Sequence, residues 1–250
     1  MIAMLKRIKY SLVLRFLRCC PDFILDFLFR RKRGTIVLMY HRITSADTYF
    51  ATTESALQAH IDYLEKNGCI FISPDKLHTA AHSSERLRVC LTFDDGYREL
   101  STIVNKLFFP RQIPCTIFLA PLLHSSGSPD LLSTTEIQHL GQNPFVTIGS
   151  HGLTHLAMDL LSRSGLSFEL KESRRQLEAL TGCEVSFLAY PFGIFTPDIK
   201  TEACRYYRTA FAAHETCGGN HAYPRTSIDR GSETLRQFKI RILQGYYDHD

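Results

Sequence analysis

No stretch of this 250-residue sequence approaches the roughly 20 consecutive apolar residues that a bilayer-spanning helix needs. The N-terminus also lacks the pattern of a cleaved export signal. Arg15 and Arg18 interrupt its apolar stretch, and no small-residue cleavage site follows. The eight cysteines include no C-x-x-C pair, which argues against a structural zinc site. Cys90 and Cys115 lie in apolar runs, where a thiol acts as a small hydrophobe and a reducing compartment suits it. No internal repeat or low-complexity linker divides the chain. A basic body of the kind nucleic acid selects is missing too. The net charge of +4 resides in residues 1–33, where nine Lys/Arg face only Asp22 and Asp26; the other 217 residues carry 20 basic against 23 acidic side chains. No nucleic-acid partner is expected.

What is present is one sizeable core. Hydrophobic residues make up 44% of the chain, and barrels of alternating strands and helices fold as single domains at this length. Residues 1–33 form a separate basic, apolar segment in which Leu12, Leu14, Phe16, Leu17, Phe23, Leu25, Phe27 and Phe29 lie among the cations. Such a segment can lie in a membrane interface against anionic headgroups, or pack as a helix on the body or a partner. It favours a peripheral site at the cytoplasmic face of a membrane, or the cytoplasm, with an uncleaved export anchor as the alternative. A boundary near Gly34 leaves 34–250 as the main domain.

Beyond that boundary short β-branched runs alternate with helix-like stretches. Strands are expected at Thr35–Tyr40, Cys69–Ser73, Arg88–Phe93, Pro114–Ala120, Phe145–Ser150, Val185–Tyr190 and Thr209–Ala213. Helices are expected at Glu54–Asn67, Tyr97–Phe109, Ser133–Gly141 and Ser164–Thr181, the last stopped by Gly182. This order predicts an α/β fold, a distorted (β/α)7-type barrel in a single domain.

Four polar features follow strands: Tyr40-His41, Asp94-Asp95-Gly96, His151-Gly-Leu-Thr-His155 and Pro191-Phe192-Gly193. The C-terminal ends of the strands are where barrel enzymes build their sites. Taken singly the features are weak. An Asp-Gly after a strand is usually a turn, and eleven histidines produce an i, i+4 pair by chance. Taken together they have a chemistry. On a helical turn, His151 and His155 would share one face within reach of one ion. Asp95 would complete a two-His-one-carboxylate set with open positions, an arrangement used by catalytic zinc and by non-haem iron. Asp94 would then be free to take a proton from water. Tyr40, Tyr97 and Phe192 can shape a cleft, although core packing explains aromatics equally well.

These residues carry a resemblance. Leu91-Thr92-Phe93-Asp94-Asp95-Gly96-Tyr97 resembles the first signature of the polysaccharide deacetylases, the NodB-homology domain of carbohydrate esterase family four. Ser150-His151-Gly152-Leu153-Thr154-His155 resembles the second, and Ala189-Tyr190-Pro191-Phe192-Gly193 a variant of the third. The resemblance implies metal-dependent removal of N-acetyl groups from amino sugars. It implies Asp94 as catalytic base, Asp95, His151 and His155 as ligands of a divalent metal, and the Phe192 backbone N–H in an oxyanion hole. Zinc is the expected ion, since its open three-ligand sites commonly use His and carboxylate.

The sequence departs from the common pattern twice. Many members carry an Arg where this chain has Ala189. Arg225, in Tyr223-Pro224-Arg225-Thr226, is the candidate replacement, the alternative being a rim ion pair. The usual Leu-x-His general acid near the C-terminus is also missing, and His249 sits in a terminal Tyr-Tyr-Asp-His-Asp stretch. A subset of the family is similar to a circular permutation with an early Tyr-His. Val37-Leu38-Met39-Tyr40-His41 matches that form and implies His41 as general acid; the alternative is a satisfied core or rim histidine. The expected activity is therefore hydrolysis of N-acetyl groups on a polysaccharide or lipid-linked saccharide, with peripheral membrane contact. The alternatives are cleavage of another non-peptide carbon–nitrogen amide on the same scaffold, or sugar binding without turnover.

Overall fold

The computed structural model describes residues 13, 15–46, 48–78, 86–213, 219–229 and 232–248. Its centre is a parallel sheet curled into a half-barrel with helices around it. The strands are β1 (Thr35–Tyr40), β2 (Arg42–Ile43), β3 (Ala51–Thr52), β4 (Ile70–Phe71), β5 (Arg88–Phe93), β6 (Cys115–Leu119), β7 (Val146–Ser150), β8 (Phe187–Ala189), β9 (Thr209–Phe211) and β10 (Thr226–Ser227). Seven of them run in the order β10-β1-β5-β6-β7-β8-β9. β4 pairs with the first two residues of β5, while β6 pairs with its last three. β2 and β3 form a separate ribbon. A parallel bridge between Phe211 and Tyr223 brings the two sheet edges together just before β10.

The helices are α1 (Asp22–Arg30), α2 (Glu54–Lys66), α3 (Glu99–Ile103), α4 (Pro121–Ser125), α5 (Thr134–Gly141), α6 (Arg163–Thr181), α7 (Pro197–Ala203) and α8 (Leu235–Asp248). Their ends follow local chemistry. The Thr53 hydroxyl accepts from Ala56 N–H at the start of α2. Ser133 and Glu136 form a reciprocal capping box at α5. Ser162 caps α6, which ends at Gly182 in the left-handed conformation.

Strands buried on both faces divide the core in two. Inside the barrel lie Val37, Cys90, Phe118, Phe187, Ala189 and Phe211, with Ile72 and Leu77. Outside, Ile36, Leu38, Tyr40, Val89, Leu91, Phe93, Ile117 and Leu119 pack against the helices. The period of two along each strand makes this division, and burial on both faces explains the near-continuous apolar runs. Burial pushes the interior Cys90 thiol up to about 12. The cysteines among the described residues are free; Cys217 and His249 lie outside them. No helix among the described residues is long and apolar enough to cross a membrane.

Several expected elements change. The helix expected over Tyr97–Phe109 is α3 followed by a π-helical stretch, Val104–Phe108, and a 3-10 turn at Phe109–Arg111. Tyr97 bridges to Leu131 instead of joining the helix, and Pro110 lacks the N–H that would continue it. The strand expected at Cys69–Ser73 shortens to Ile70–Phe71. α4, α7, α8, β2, β3 and β10 lie outside the expected elements, whereas α1 is the helix packed on the body that residues 1–33 allowed as one reading. α1 is anchored by buried Leu25 and Phe29 against the outer core.

Candidate active site

Parallel register delivers the polar residues to one rim. Tyr40 is level with Phe93, Phe93 with Ile117, and Leu119 with Ser150. The residues that follow, His41, Asp94 and His151, therefore leave the sheet at the same end. Backbone bonds hold them there: Asp94 N–H donates to Tyr40 O at 2.9 Å and His151 N–H to Leu119 O at 2.8 Å.

Asp94 points inward, in step with Cys90 and Thr92, and is buried. Arg225, also buried, meets it with a two-pronged contact: Nη1 to Oδ1 at 2.7 Å and Nη2 to Oδ2 at 2.8 Å. Arg225 is itself fixed. Its Nε donates to Ala212 O at 3.0 Å, Nη1 reaches Thr92 Oγ1 at 3.3 Å, and its guanidinium lies 5.5 Å from the centre of the Phe118 ring. Burial alone would raise the Asp94 carboxyl; Arg225, with His151, reverses this and holds it well below the usual carboxylate range.

Asp95, His151 and His155 offer three ligand atoms that lie within 4.8 Å of one another. Asp95 Oδ1 is 3.1 Å from His155 Nε2 and 3.6 Å from His151 Nε2. His151 Nδ1 lies 2.8 Å from Ala189 O. A carbonyl only accepts, so Nδ1 carries the proton and Nε2 keeps its lone pair for an ion. Asp95 Oδ1 is a buried oxygen without a hydrogen-bond partner. One carboxylate and two imidazoles with this orphaned oxygen fit a divalent cation. Burial and the two carboxylates compete at the histidines. Burial wins at His151 and lowers it; at His155 the contact with Asp95 outweighs burial and raises it.

The histidines do not sit on a helical turn. Residues 151–157 are irregular, with Gly152 and His155 at φ of 77° and 62°. The loop is organised instead by the buried carboxylate of Glu169 on α6. Its Oε1 accepts from Leu153 N–H at 2.9 Å, Thr154 N–H at 2.8 Å and the Thr154 hydroxyl at 2.8 Å. Ser173 adds a bond to Gly152 O at 2.8 Å and one to Ser150 Oγ at 2.7 Å. These peptide groups need partners that a helix would have supplied, and Glu169 supplies them. Its signal in the sequence is spacing: Leu166, Glu169, Leu170, Ser173 and Leu177 form the buried face of α6, while Phe168 is exposed. A charge on an apolar face is the trace of a specific partner.

Backbone strain collects at the same place. Asp95, Gln112, His155 and Phe192 are the described non-glycine residues with positive φ, and three of them belong to this rim. Such conformations cost on the order of 1–3 kcal/mol each and persist where surrounding structure imposes them. Gly193, at φ 69°, sets the Phe192 turn. A Cβ there would stand 2.3 Å from Ala213 Cβ and 2.9 Å from Ala213 N, so the backbone approach requires glycine.

The remaining expected residues divide. His41 follows β1, its ring centre 4.8 Å from that of Phe50; its charge also helps hold Asp94 and Asp95 down. The exposed Phe192 ring meets His155 edge-on at 4.9 Å. Tyr40 is fully buried, in step with Ile36 and Leu38 on the outer face. It stacks on Phe93 and lies 3.3 Å from His60 Nδ1, so it belongs to the core and not to a cleft. Tyr97 packs beneath the Arg42 guanidinium at 5.2 Å.

The polysaccharide deacetylase family model matches residues 81–210, just over half of the chain. The chain belongs to the polysaccharide deacetylase family. A curated relative, YxkH of Bacillus subtilis (strain 168), itself assigned to the polysaccharide deacetylases, is 23% identical over 165 residues, 65% of this chain. The match covers 58% of YxkH's own length. Among solved structures, BC0361, a polysaccharide deacetylase from Bacillus cereus, matches 84% of this chain and 69% of its own at a TM-score of 0.73 and 23% identity. The Streptococcus pyogenes deacetylase PplD, solved in complex with acetate, matches 85% and 97% at a TM-score of 0.73 and 19% identity. IcaB from Ammonifex degensii matches 84% and 98% at a TM-score of 0.71 and 19% identity. These likenesses establish a polysaccharide deacetylase fold. Within that family, this chain has Ala189 contributing a carbonyl to His151 while Arg225 reaches Asp94 from beside the edge strand β10.

Proposed function

We propose that this chain is a metal-dependent hydrolase that removes N-acetyl groups from the amino sugars of a polysaccharide or a lipid-linked saccharide. The observation that carries the reading is the pairing of two adjacent aspartates in different environments. Asp95 faces two histidines, whereas Asp94 is clamped by Arg225.

Asp95, His151 and His155 would hold the ion, and zinc matches the donor set. When bound, such an ion acts as a Lewis acid and lowers the pKa of water from about 15.7 to about 7. Asp94 is the base. Arg225 keeps it ionised and fixes its plane, and each of its oxygens retains lone-pair capacity for the proton of an attacking water. The water oxygen bonds to the acetamide carbon, and the carbonyl electron pair moves onto oxygen. The Phe192 backbone N–H, placed by the strained turn at Gly193, donates to that oxyanion. Collapse breaks the carbon–nitrogen bond. His41, the general acid, gives its proton to the departing amine, leaving acetate and a free amino sugar. The Phe192 and Phe50 rings bordering the site offer faces for a sugar ring.

Product analysis on N-acetylglucosamine oligomers and lipid-linked N-acetylated saccharides, with and without chelator, tests this. Equal amounts of acetate and new amine, both suppressed by chelator, are expected. Amide cleavage without acetate would instead indicate another non-peptide amide substrate.

A further inference from the structure

The function above makes no use of residues 15–33, although they have a defined arrangement. α1 docks one face on the body through Leu25 and Phe29, and Leu17 and Cys20 are buried just ahead of it. Phe23 and Phe27 on the opposite face of α1, and Phe16 in the helical stretch ahead of it, are 71%, 54% and 58% exposed. Exposed Arg15, Arg18, Arg30, Arg31 and Arg33 surround them, and Arg31 lies over the Phe27 ring at 4.5 Å. The two acidic residues of this stretch are engaged by α8. Arg236 holds Asp22, and Lys239 holds Asp26 at 2.7 Å, with the Tyr63 hydroxyl donating to Asp26 at 2.8 Å. The outward electrostatics of the face are therefore cationic.

The end at which this face starts is also defined. α8 begins where the chain returns from β10, at the active-site end of the barrel. Arg236, in its first turn, donates to Arg18 O and Cys20 O. The Phe16–Phe23 end of the face thus lies toward the same end of the barrel as Asp94 and His151.

We propose that the Phe16–Phe23–Phe27 face docks on an anionic lipid bilayer and brings the mouth of the active site to that surface. Phenylalanines ringed by arginines are the composition of an interfacial helix, with rings at the acyl boundary and guanidinium groups among the headgroup phosphates. A second copy of the chain is disfavoured as occupant, because a symmetric contact would set the same cations against themselves.

The test is cosedimentation of the full chain with phosphatidylcholine vesicles with and without phosphatidylglycerol. Binding only to the anionic vesicles, weakening as salt rises, is expected. The triple variant F16S/F23S/F27S and the charge reversal R15E/R18E should each bind at least about tenfold more weakly. Both should keep the melting temperature and the rate on a soluble glycan, since none of these side chains lines the site. No sedimentation, sedimentation indifferent to lipid charge, or full binding by the triple variant would overturn the proposal, as would a stable dimer that the triple variant abolishes. Binding is read without turnover, so its failure leaves the deacetylase reading intact, and absence of acetate release leaves the docking intact.

Discussion

Asp94 and Arg225 are 131 residues apart, yet each is the principal partner of the other. A carboxylate buried this deeply is tolerated because a guanidinium fork satisfies it, and the fork is tolerated because the carboxylate neutralises it. Removing one member leaves an uncompensated charge, which costs about 3–5 kcal/mol in buried pairs. Arg225→Ala should lose about that much stability in urea unfolding and most of its kcat. Arg225→Lys should fall between, because an ammonium keeps the charge and loses the two-pronged geometry. If Arg225→Ala leaves both stability and kcat unchanged, the clamp has no role. The pair also shows where sequence reading stops. The run to Asp94-Asp95 and the His151/His155 spacing could be read directly, since both stand at strand ends. Arg225 was a candidate only because Ala189 left a place unfilled; its contact depends on β10, a two-residue strand too short to leave a periodic signal.

Between elements, buried polar residues set the geometry. Glu169 ties α6 to the His151–His155 loop, so Glu169→Ala should weaken zinc binding by roughly 10–100-fold, the usual effect of losing a group that orients ligands. Calorimetric titration with zinc measures it, and an unchanged affinity would show that the loop holds its own shape. The sequence suggested a helical turn for this loop from histidine spacing alone. Spacing is blind to a carboxylate arriving from the next helix. His60 plays the comparable part between α2 and α8. It stacks on Phe238 at 3.8 Å, and its Nε2 lies 2.9 Å from Ser232 O. Burial lowers it from 6.5 to about 4. The unfolded chain therefore binds the proton first as pH falls, so this contribution is intact above pH 6.5 and is lost progressively toward pH 4. The loss amounts to about 3 kcal/mol in all. Urea titrations across that range should show it, and in His60→Gln this part of the acid sensitivity should disappear.

At the scale of the whole molecule, the barrel supports the site from below. Phe118 fills the interior under Arg225, with Phe211 at 5.4 Å. Phe118→Ala should cost about 3–5 kcal/mol through the cavity it leaves, and kcat should fall as Arg225 loses its support; equilibrium unfolding and steady-state rates measure the two effects. The alternation of strands and helices made this architecture legible from the sequence, because parallel strands buried on both faces write long apolar runs. The outer helices α1, α7 and α8 were harder to see. α1 is masked by its own cations, whose purpose depends on which side faces α8. One end of the barrel gathers the residues to which the proposed function gives the roles of ligand, base, acid and oxyanion donor, from four strand ends, while Arg225 reaches in from the sheet edge.

The most direct test of that arrangement is acetate release from an N-acetylated glycan by Asp94→Asn, compared with the unaltered chain at equal zinc content. Asp94→Asn is expected to bind zinc still, through Asp95, His151 and His155, and to lose at least about 10²-fold in kcat. Undiminished acetate release by the zinc-loaded variant would contradict it.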